Sequence, residues 1–446
     1  MYICWMEYNH TTPTRKMLTI GALVLLSIAL QSCGATRGME HRRAKKIKSM
    51  LLKPSVYEDG FIGFYLYDPK RNKVLVDHHG HRHFTPASNT KVMTYYVTTE
   101  VLGDSFPVVR YLDRDSTRYI RGMGYPLLPD STFTAFLLQA DRVVDCTKRI
   151  PRFGSGWAWD DYPYSYQKER DLLPLYENAL HFSKGNYGYK WYPAWPGIVV
   201  AADTMNGHPL QRMESANHFI YDPHRWEQND TVEIPLYGVA ELRNGYFSSE
   251  GRRGVKECPS DWSSAKVLRY EMVDTVFQRL LHASDNYIAE QLLLMAAEER
   301  DSFTRIAQFI QWAKDSILAG MPDKTRWVDG SGLSRYNLQT PANLVWLLNK
   351  ILYREGKYKV IRRFPAAGKS GTLATAYPTL VTPKKGVPFV YAKSGSLSNN
   401  YCLSGYIFTS KGRVLIFSFM ANHFMHPTSE VKKALEPILY RIYEKF

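Results

Sequence analysis

The chain has 446 residues and a formal charge of +15, from 57 Lys and Arg against 42 Asp and Glu, a length that calls for two or three domains rather than one. With 45% hydrophobic and 22% charged residues it lies in the globular range, which excludes a collagen-like, low-complexity or wholly disordered chain. The 31 Tyr and 10 Trp favour strand-rich structure or surfaces that stack on rings.

Arg15 and Lys16 precede the apolar run from Met17 to Leu30, which is short for a ~30 Å hydrocarbon core and proportioned like the apolar region of an export signal. Leu30-Gln31-Ser32-Cys33 resembles the lipobox of bacterial lipoproteins, so residues 1–33 are expected to be a lipoprotein signal peptide and lipobox, with Cys33 the acylated first residue of the mature chain. A plain secretory signal and an uncleaved anchor are the alternatives. The leader carries little net charge, so the basic balance belongs to the folded part. No long basic run accompanies it, which suits an anionic cell envelope and predicts no nucleic-acid partner. Of the five cysteines, Cys4 is lost on processing and Cys33 acylated. Cys146, Cys258 and Cys402 then allow one disulfide and one free thiol. With neither CxxC nor HExxH in the chain, no metal site is expected. His79, His81 and His83 would share one face of an extended segment, and they read as a polar strand end rather than a metal comb.

Residues 34–54 read as a linker and a basic amphipathic helix. Phe61 to Tyr67 and Lys73 to Val76 are β-rich runs around a turn at 68–72. A helix is predicted from Pro86-Ala87-Ser88 to Leu102, because proline favours a first turn and no breaker follows. From 104 to 261 the texture changes to short aromatic and β-branched runs broken by Gly, Pro, Asp and Asn. Helical periodicity returns after 262, with Val273, Val276, Phe277, Leu280 and Leu281 on one face, then a helix from Asn286 to Glu298. Apolar strands follow at 387–395, 401–409 and 414–421, and a helix at 428–445 with Val431, Leu435, Ile438 and Ile442 inward. Helices and strands at both chain ends suggest one α/β domain formed by 34–103 and 262–446, interrupted by a β-rich insertion at 104–261.

Three short patterns could carry chemistry. Ser88-Asn89-Thr90-Lys91 puts an amine one helical turn from a hydroxyl, where a buried lysine could take the serine's proton. Ser284-Asp285-Asn286, at a helix junction, offers a second hydroxyl to relay a proton and an amide to hold a substrate carbonyl. Lys-Ser-Gly occurs twice, at 369–371 and 393–395. The second follows an apolar strand, where Gly395 is expected to let a substrate backbone approach closely and Lys393 with Ser394 and Ser396 can meet a carboxylate; Lys369 falls in a loop. Each pattern alone is weak. Together, in this order, they form the S-x-x-K, S-D-N and K-T-G set of penicillin-binding proteins and β-lactamases.

The resemblance extends to Thr85–Lys91, His282–Glu290, Asp329–Asn337, Pro365–Gly368 and Ala392–Leu397, all similar to peptidase family S13, the PBP4-type (class C) D-alanyl-D-alanine carboxypeptidases/endopeptidases. It implies an α+β, serine β-lactamase/transpeptidase-like domain, an antiparallel sheet flanked by helices and carrying an inserted β-rich accessory region. Gly156–Asp161 looks like a tryptophan-containing stretch of that insertion. The family implies Ser88 as acylated nucleophile, Lys91 as general base, and Ser284 with Asn286 as relay and positioning groups. Lys393, Ser394, Gly395 and Ser396 would form the carboxylate-binding strand, with the N–H groups of Ser88 and Ser396 as oxyanion hole. Ser394 departs from the more usual threonine, and Lys369 from a more usual acidic or polar residue. The implied substrate is the peptidoglycan stem peptide, with β-lactams as inhibitors and no cofactor, and the expected location is the periplasm of the bacterial envelope, exported and lipid-anchored. A serine β-lactamase or an inactive peptidoglycan-binding relative is the alternative; no Glu-x-x-Leu-Asn lies between Ser88 and Ser284, which disfavours a class A lactamase.

Overall fold

The computed structural model describes residues 38–204, 208–249, 257–271, 274–300 and 305–446; the expected signal peptide and Cys33 lie outside these. The fold is α+β. At its centre is a five-stranded antiparallel sheet in the order Val390–Leu397, Asn400–Phe408, Val414–Asn422, Phe61–Asp68, Lys73–His78. The first strand of the chain therefore pairs with the last, Phe61 opposite Asn422. Val414–Asn422 is buried along nearly its whole length, because both faces of the sheet are covered.

One face packs on the helix at 38–51 and on Thr428–Lys445. Ile47 and Leu51 of the first, and Val431, Leu435, Ile438 and Ile442 of the second, share a buried cluster with Phe64, Leu403 and Phe417 of the sheet. The spacing of three and four residues puts those apolar side chains on one stripe, and each such side chain fully buried contributes about 1.5–3 kcal/mol. The other face carries Thr90–Leu102, Asn286–Arg300 and Pro341–Arg363. Tyr287 to Ala297 are all buried, as expected of a helix surrounded by protein.

Between the two motif-bearing segments lie three smaller sheets. The nearest is four-stranded, in the order Lys266–Glu271, Ser105–Arg114, Thr117–Gly122, Arg142–Asp145. Its edge strand Lys266–Glu271, on the C-terminal side of residue 262, pairs antiparallel with Ser105–Arg114. Phe106, Val109, Ile120 and Phe133 share one continuous buried cluster with Val276, Phe277, Leu280 and Leu292. The sheets Thr231–Pro235/Ala179–Gly185/Gly188–Tyr192 and Val199–Ala202/His218–Tyr221/Leu210–Arg212 stand farther out on a small core of their own around Leu180, Phe219 and Leu236. A disulfide joins Cys146 to Cys258, and Cys402 is a buried thiol. His79, His81 and His83 contact three different partners: Ile62 O, Asp323 and Lys324 O. Among the described residues no helix is long and apolar enough to cross a membrane.

Candidate active site

Ser88 does not sit inside the α-helix that the sequence predicts from residue 86. Ala87–Asn89 form a single 3₁₀ turn, and the α-helix begins at Thr90. Ala87 adopts a left-handed φ of 48°, which breaks helical continuity just before the serine and holds it at the helix mouth. Thr90 Oγ1 donates back to Ala87 O at 2.8 Å and pins the turn.

One helical turn on, Lys91 is fully buried. Its Nζ donates to Ser88 Oγ at 2.9 Å, Asn286 Oδ1 at 2.5 Å and Ser331 O at 2.7 Å, so the ammonium's three protons each have an acceptor. Burial lowers its pKa to about 8 against the opposing pull of the Asp329, Asp285 and Glu290 carboxylates; desolvation penalises the charged form more than those acids favour it.

Ser284 ends the irregular turn Arg279–Ala283 with a left-handed φ of 60°, which turns its side chain toward the sheet. There Lys393 Nζ donates to Ser284 Oγ at 2.8 Å and also to Ser394 O. Lys393 is fully buried on the strand Val390–Leu397. Burial and the nearby charge of Lys91 hold its pKa well below the usual lysine range. Asn286 opens the next helix, and both ends of its amide are engaged: Oδ1 by Lys91 and Nδ2 by the backbone oxygen of Tyr166, 2.9 Å away and 120 residues earlier in the chain. That arrangement fixes the Lys91 amine and leaves the second Nδ2 proton of Asn286, which lines the cleft, available to a substrate carbonyl.

Gly395 sits where the strand crosses the serine turn. A Cβ built there would lie 2.8 Å from Pro86 O and Ser88 N, so the glycine makes room for the protein's own backbone. Ser396 and Ser88 both line an open cleft of about 510 Å³, together with Asp160, Tyr166 and Arg335. The other Lys-Ser-Gly has a different place. Lys369 is exposed in a loop, while Gly371 has φ 58° and faces His282 backbone atoms 2.7 Å from where its Cβ would be. This packing brings Thr372 Oγ1 within 2.8 Å of Ser394 Oγ.

Sequence reasoning did not single out the buried acids behind Lys91. Asp329, fully buried, accepts hydrogen bonds from the Gly332 and Ser334 backbone N–H groups, Asn337 Nδ2 and Trp157 Nε1. Glu290 accepts from Ser331 N at 2.7 Å and pairs with Arg170 at 3.4 Å. Its carboxyl is pushed above the usual range by burial and by the like charge of Asp329. Both acids thus shape the loop whose Ser331 oxygen meets Lys91. Two partners in this network, Trp157 and Arg170, come from the stretch between the two motif-bearing segments. The signal for the acids was available: Asp329 opens the quoted Asp-Gly-Ser-Gly stretch, and a lone Glu amid the apolar residues 287–297 needs a partner.

The model of the D-Ala-D-Ala carboxypeptidase 3 (S13) family matches residues 43–121 and 262–441. D-alanyl-D-alanine carboxypeptidase DacB of Haemophilus influenzae is 22% identical over 435 residues, spanning 86% of this chain and 89% of that protein. The D-alanyl-D-alanine carboxypeptidase of Actinomadura sp. (strain R39) is 26% identical, spanning 92% of this chain and 86% of that one. Among solved structures, penicillin binding protein 4 (dacB) from Haemophilus influenzae is similar at TM-score 0.70 and 20% identity, covering 89% of this chain and 99% of that one. Its complex with a β-lactam gives 0.67 at 18% identity, with the same coverage. At this level of identity the structural likeness speaks to fold.

Proposed function

Because the chain belongs to the D-Ala-D-Ala carboxypeptidase 3 (S13) family, whose model covers more than half of it, we propose that it is a penicillin-binding serine hydrolase. It removes the terminal D-alanine from peptidoglycan stem peptides, cleaves D-alanyl cross-links between them, or does both. The observation that carries this reading is convergence. Lys91 meets Asn286 across 195 residues of sequence, and Lys393 meets Ser284 across 109, beside the cleft that Ser88 lines.

In this reading Ser88 is the nucleophile. A Lys91 amine with its pKa near 8 is partly neutral around neutral pH, so it accepts the Ser88 proton as Oγ attacks the carbonyl carbon of the penultimate D-alanine. The backbone N–H groups of Ser88 and Ser396 receive the developing oxyanion, brought near each other by the bare Gly395. The proton that Lys91 took from Ser88 is relayed through the Ser284 hydroxyl, itself hydrogen-bonded to Lys393, to the departing amine as the C–N bond breaks, which returns the Lys91 amine to its neutral form. Ser394, steadied by Thr372, holds the terminal carboxylate with Lys393 and Ser396. Water then attacks the acyl ester and releases the shortened peptide with Ser88 restored. A β-lactam presents a carboxylate and a strained amide to the same groups, but its leaving group stays tethered, so its ester persists.

We also infer export to the envelope and a lipid anchor at Cys33. The Cys146–Cys258 disulfide supports an oxidising compartment. Mass spectrometry of the mature protein should find a diacylated Cys33 as its first residue.

Labelling by a fluorescent penicillin and D-alanine release from a pentapeptide test the assignments. Ser88→Ala and Lys91→Ala should each lose ~10³-fold or more. Lys369→Ala should keep most activity, whereas Lys393→Ala should lose it. Retained labelling in Ser88→Ala would refute the nucleophile.

A further inference from the structure

At the end of the central sheet away from the cleft, the helix at 38–51 meets the last turn of Thr428–Lys445 in a hollow of about 300 Å³. Arg42, Arg43, Lys46, Arg441 and Lys445 line it over an apolar floor that includes Met39 and Ile47, and no lining side chain is acidic. Lys411 adds to the rim, its Nζ donating to Lys445 O at 2.6 Å. Its pKa is lowered by partial burial and by the surrounding charges of Arg43, Arg413 and Lys445, as expected where like charges crowd together. The neighbouring acids are occupied: Glu40 by Lys73 and Arg71, Glu444 by Arg441 and Lys445 along the surface. Met39 and Leu52, both exposed, flank the same helix.

Position gives this patch its meaning. The helix begins five residues after Cys33, a span of at most about 18 Å even when fully extended. The strand Asn400–Phe408 runs from the cleft end, beside Ser398, to the patch end, beside Lys411. Its nine residues separate the two by roughly 30 Å, at ~3.3 Å per residue.

We propose that this cationic hollow docks on a bilayer surface rich in anionic phospholipid, so that the sheet stands on the membrane and the cleft is held outward toward the peptidoglycan. The inference rests on the anchored reading of Cys33 for its geometry, and on the patch itself for its lipid preference. A tether alone fixes distance but leaves the body free to rotate. Several basic groups together with exposed apolar side chains supply orientation. Each basic side chain brought to such a surface favours the docked state about fivefold.

The test uses the mature protein purified from envelopes, bound to vesicles of phosphatidylcholine alone or with phosphatidylglycerol, and footprinted by amine acetylation with mass-spectrometric readout. Anionic vesicles should slow modification of Lys46, Lys411 and Lys445 at least fivefold and leave Lys369, exposed in its loop and not part of the patch, unchanged. Neutral vesicles should protect none of them, and high salt should remove the protection. The triple variant Arg42→Gln, Arg43→Gln, Lys46→Gln should lose protection at Lys411 and Lys445 while releasing D-alanine at the wild-type rate. Equal modification on both vesicle types would overturn the docking. The same spectra report the N-terminus: an unacylated one refutes the anchor, and protection confined to anionic vesicles would still support the surface.

Discussion

Replacing Gly395 with alanine puts a methyl carbon 2.8 Å from both Pro86 O and Ser88 N and 2.9 Å from Asn89 N. Ordinary contact for such a carbon starts near 3.4 Å, so strand and serine turn must separate by about 0.6 Å. No flexible side chain can absorb that shift, because all three atoms are backbone. The turn is pinned by Thr90 and the strand by its ladder to Asn400–Phe408, in which Gly395 pairs with Cys402. The displacement therefore falls between Ser88 on one side and Lys393 and Ser396 on the other. Misplacement of reacting groups by 1 Å can cost ~10²-fold, so we expect acylation by penicillin to slow by about 10- to 100-fold. Overpacking should cost about 1–3 kcal/mol of stability. The assay is the second-order rate of fluorescent-penicillin labelling, beside D-alanine release and urea denaturation. Gly412→Ala is the control: with φ 74° and nothing within 4 Å of its Cβ, it strains a turn at the far end of the sheet by about 1 kcal/mol or more without touching the site. If Gly395→Ala acylates as fast as wild type, the glycine does not set the distance between nucleophile and strand.

Acylation should rise with pH through a midpoint near 8, because the neutral Lys91 amine is the base and its pKa is lowered to about 8; a flat rate from pH 6 to 9 would remove Lys91 from that role. Asp329→Asn takes away the largest charge favouring the ammonium and should move the midpoint to lower pH, read from the profile rather than from the rate. Arg170→Met leaves the buried Glu290 carboxylate without its guanidinium and should cost about 3–5 kcal/mol in urea denaturation. Adding Glu290→Gln should recover part of that loss, since the amide oxygen can still accept from Ser331 N. Thr372→Val removes the hydroxyl on Ser394 and should raise KM for peptide substrates severalfold, on the order of one hydrogen bond, with little change in melting temperature.

Much of the central domain was legible because it is encoded locally. The strands expected at 387–395, 401–409 and 414–421 occur at Val390–Leu397, Asn400–Phe408 and Val414–Asn422, and the last helix occurs at Thr428–Lys445 with Val431, Leu435, Ile438 and Ile442 buried. Apolar runs bounded by turn residues, and apolar spacing of three and four, are properties of neighbouring residues. The exact start of the Ser88 helix was not legible in this way. Pro86 fits a first turn, but Ala87 is left-handed where distant segments close on the turn, Gly332 against Ala87 itself and Gly395 against Pro86, Ser88 and Asn89. Irregular β structure was likewise expected between 104 and 261, yet nothing in that stretch announces that Ser105–Arg114 pairs with Lys266–Glu271 or that Cys146 meets Cys258. Partners so far apart are chosen by the register of the whole sheet and not by propensity.

The sequence by itself determined which groups are available for chemistry, since a serine three residues from a lysine on a helix, and a lysine on an apolar strand, have their reach set by local geometry. Tertiary structure decided what those groups are. It separated buried Lys393 beside Ser284 from exposed Lys369, which have nearly the same local sequence. It gave the Asn286 amide to Lys91 and the Tyr166 backbone, and it set Asp329, Glu290 and Arg170 around a lysine amine removed from water. The physical reason is that an amine's charge state depends on its desolvation and on carboxylates within a few ångströms, and these are properties of the packed interior that residues hundreds of positions apart create only by folding together.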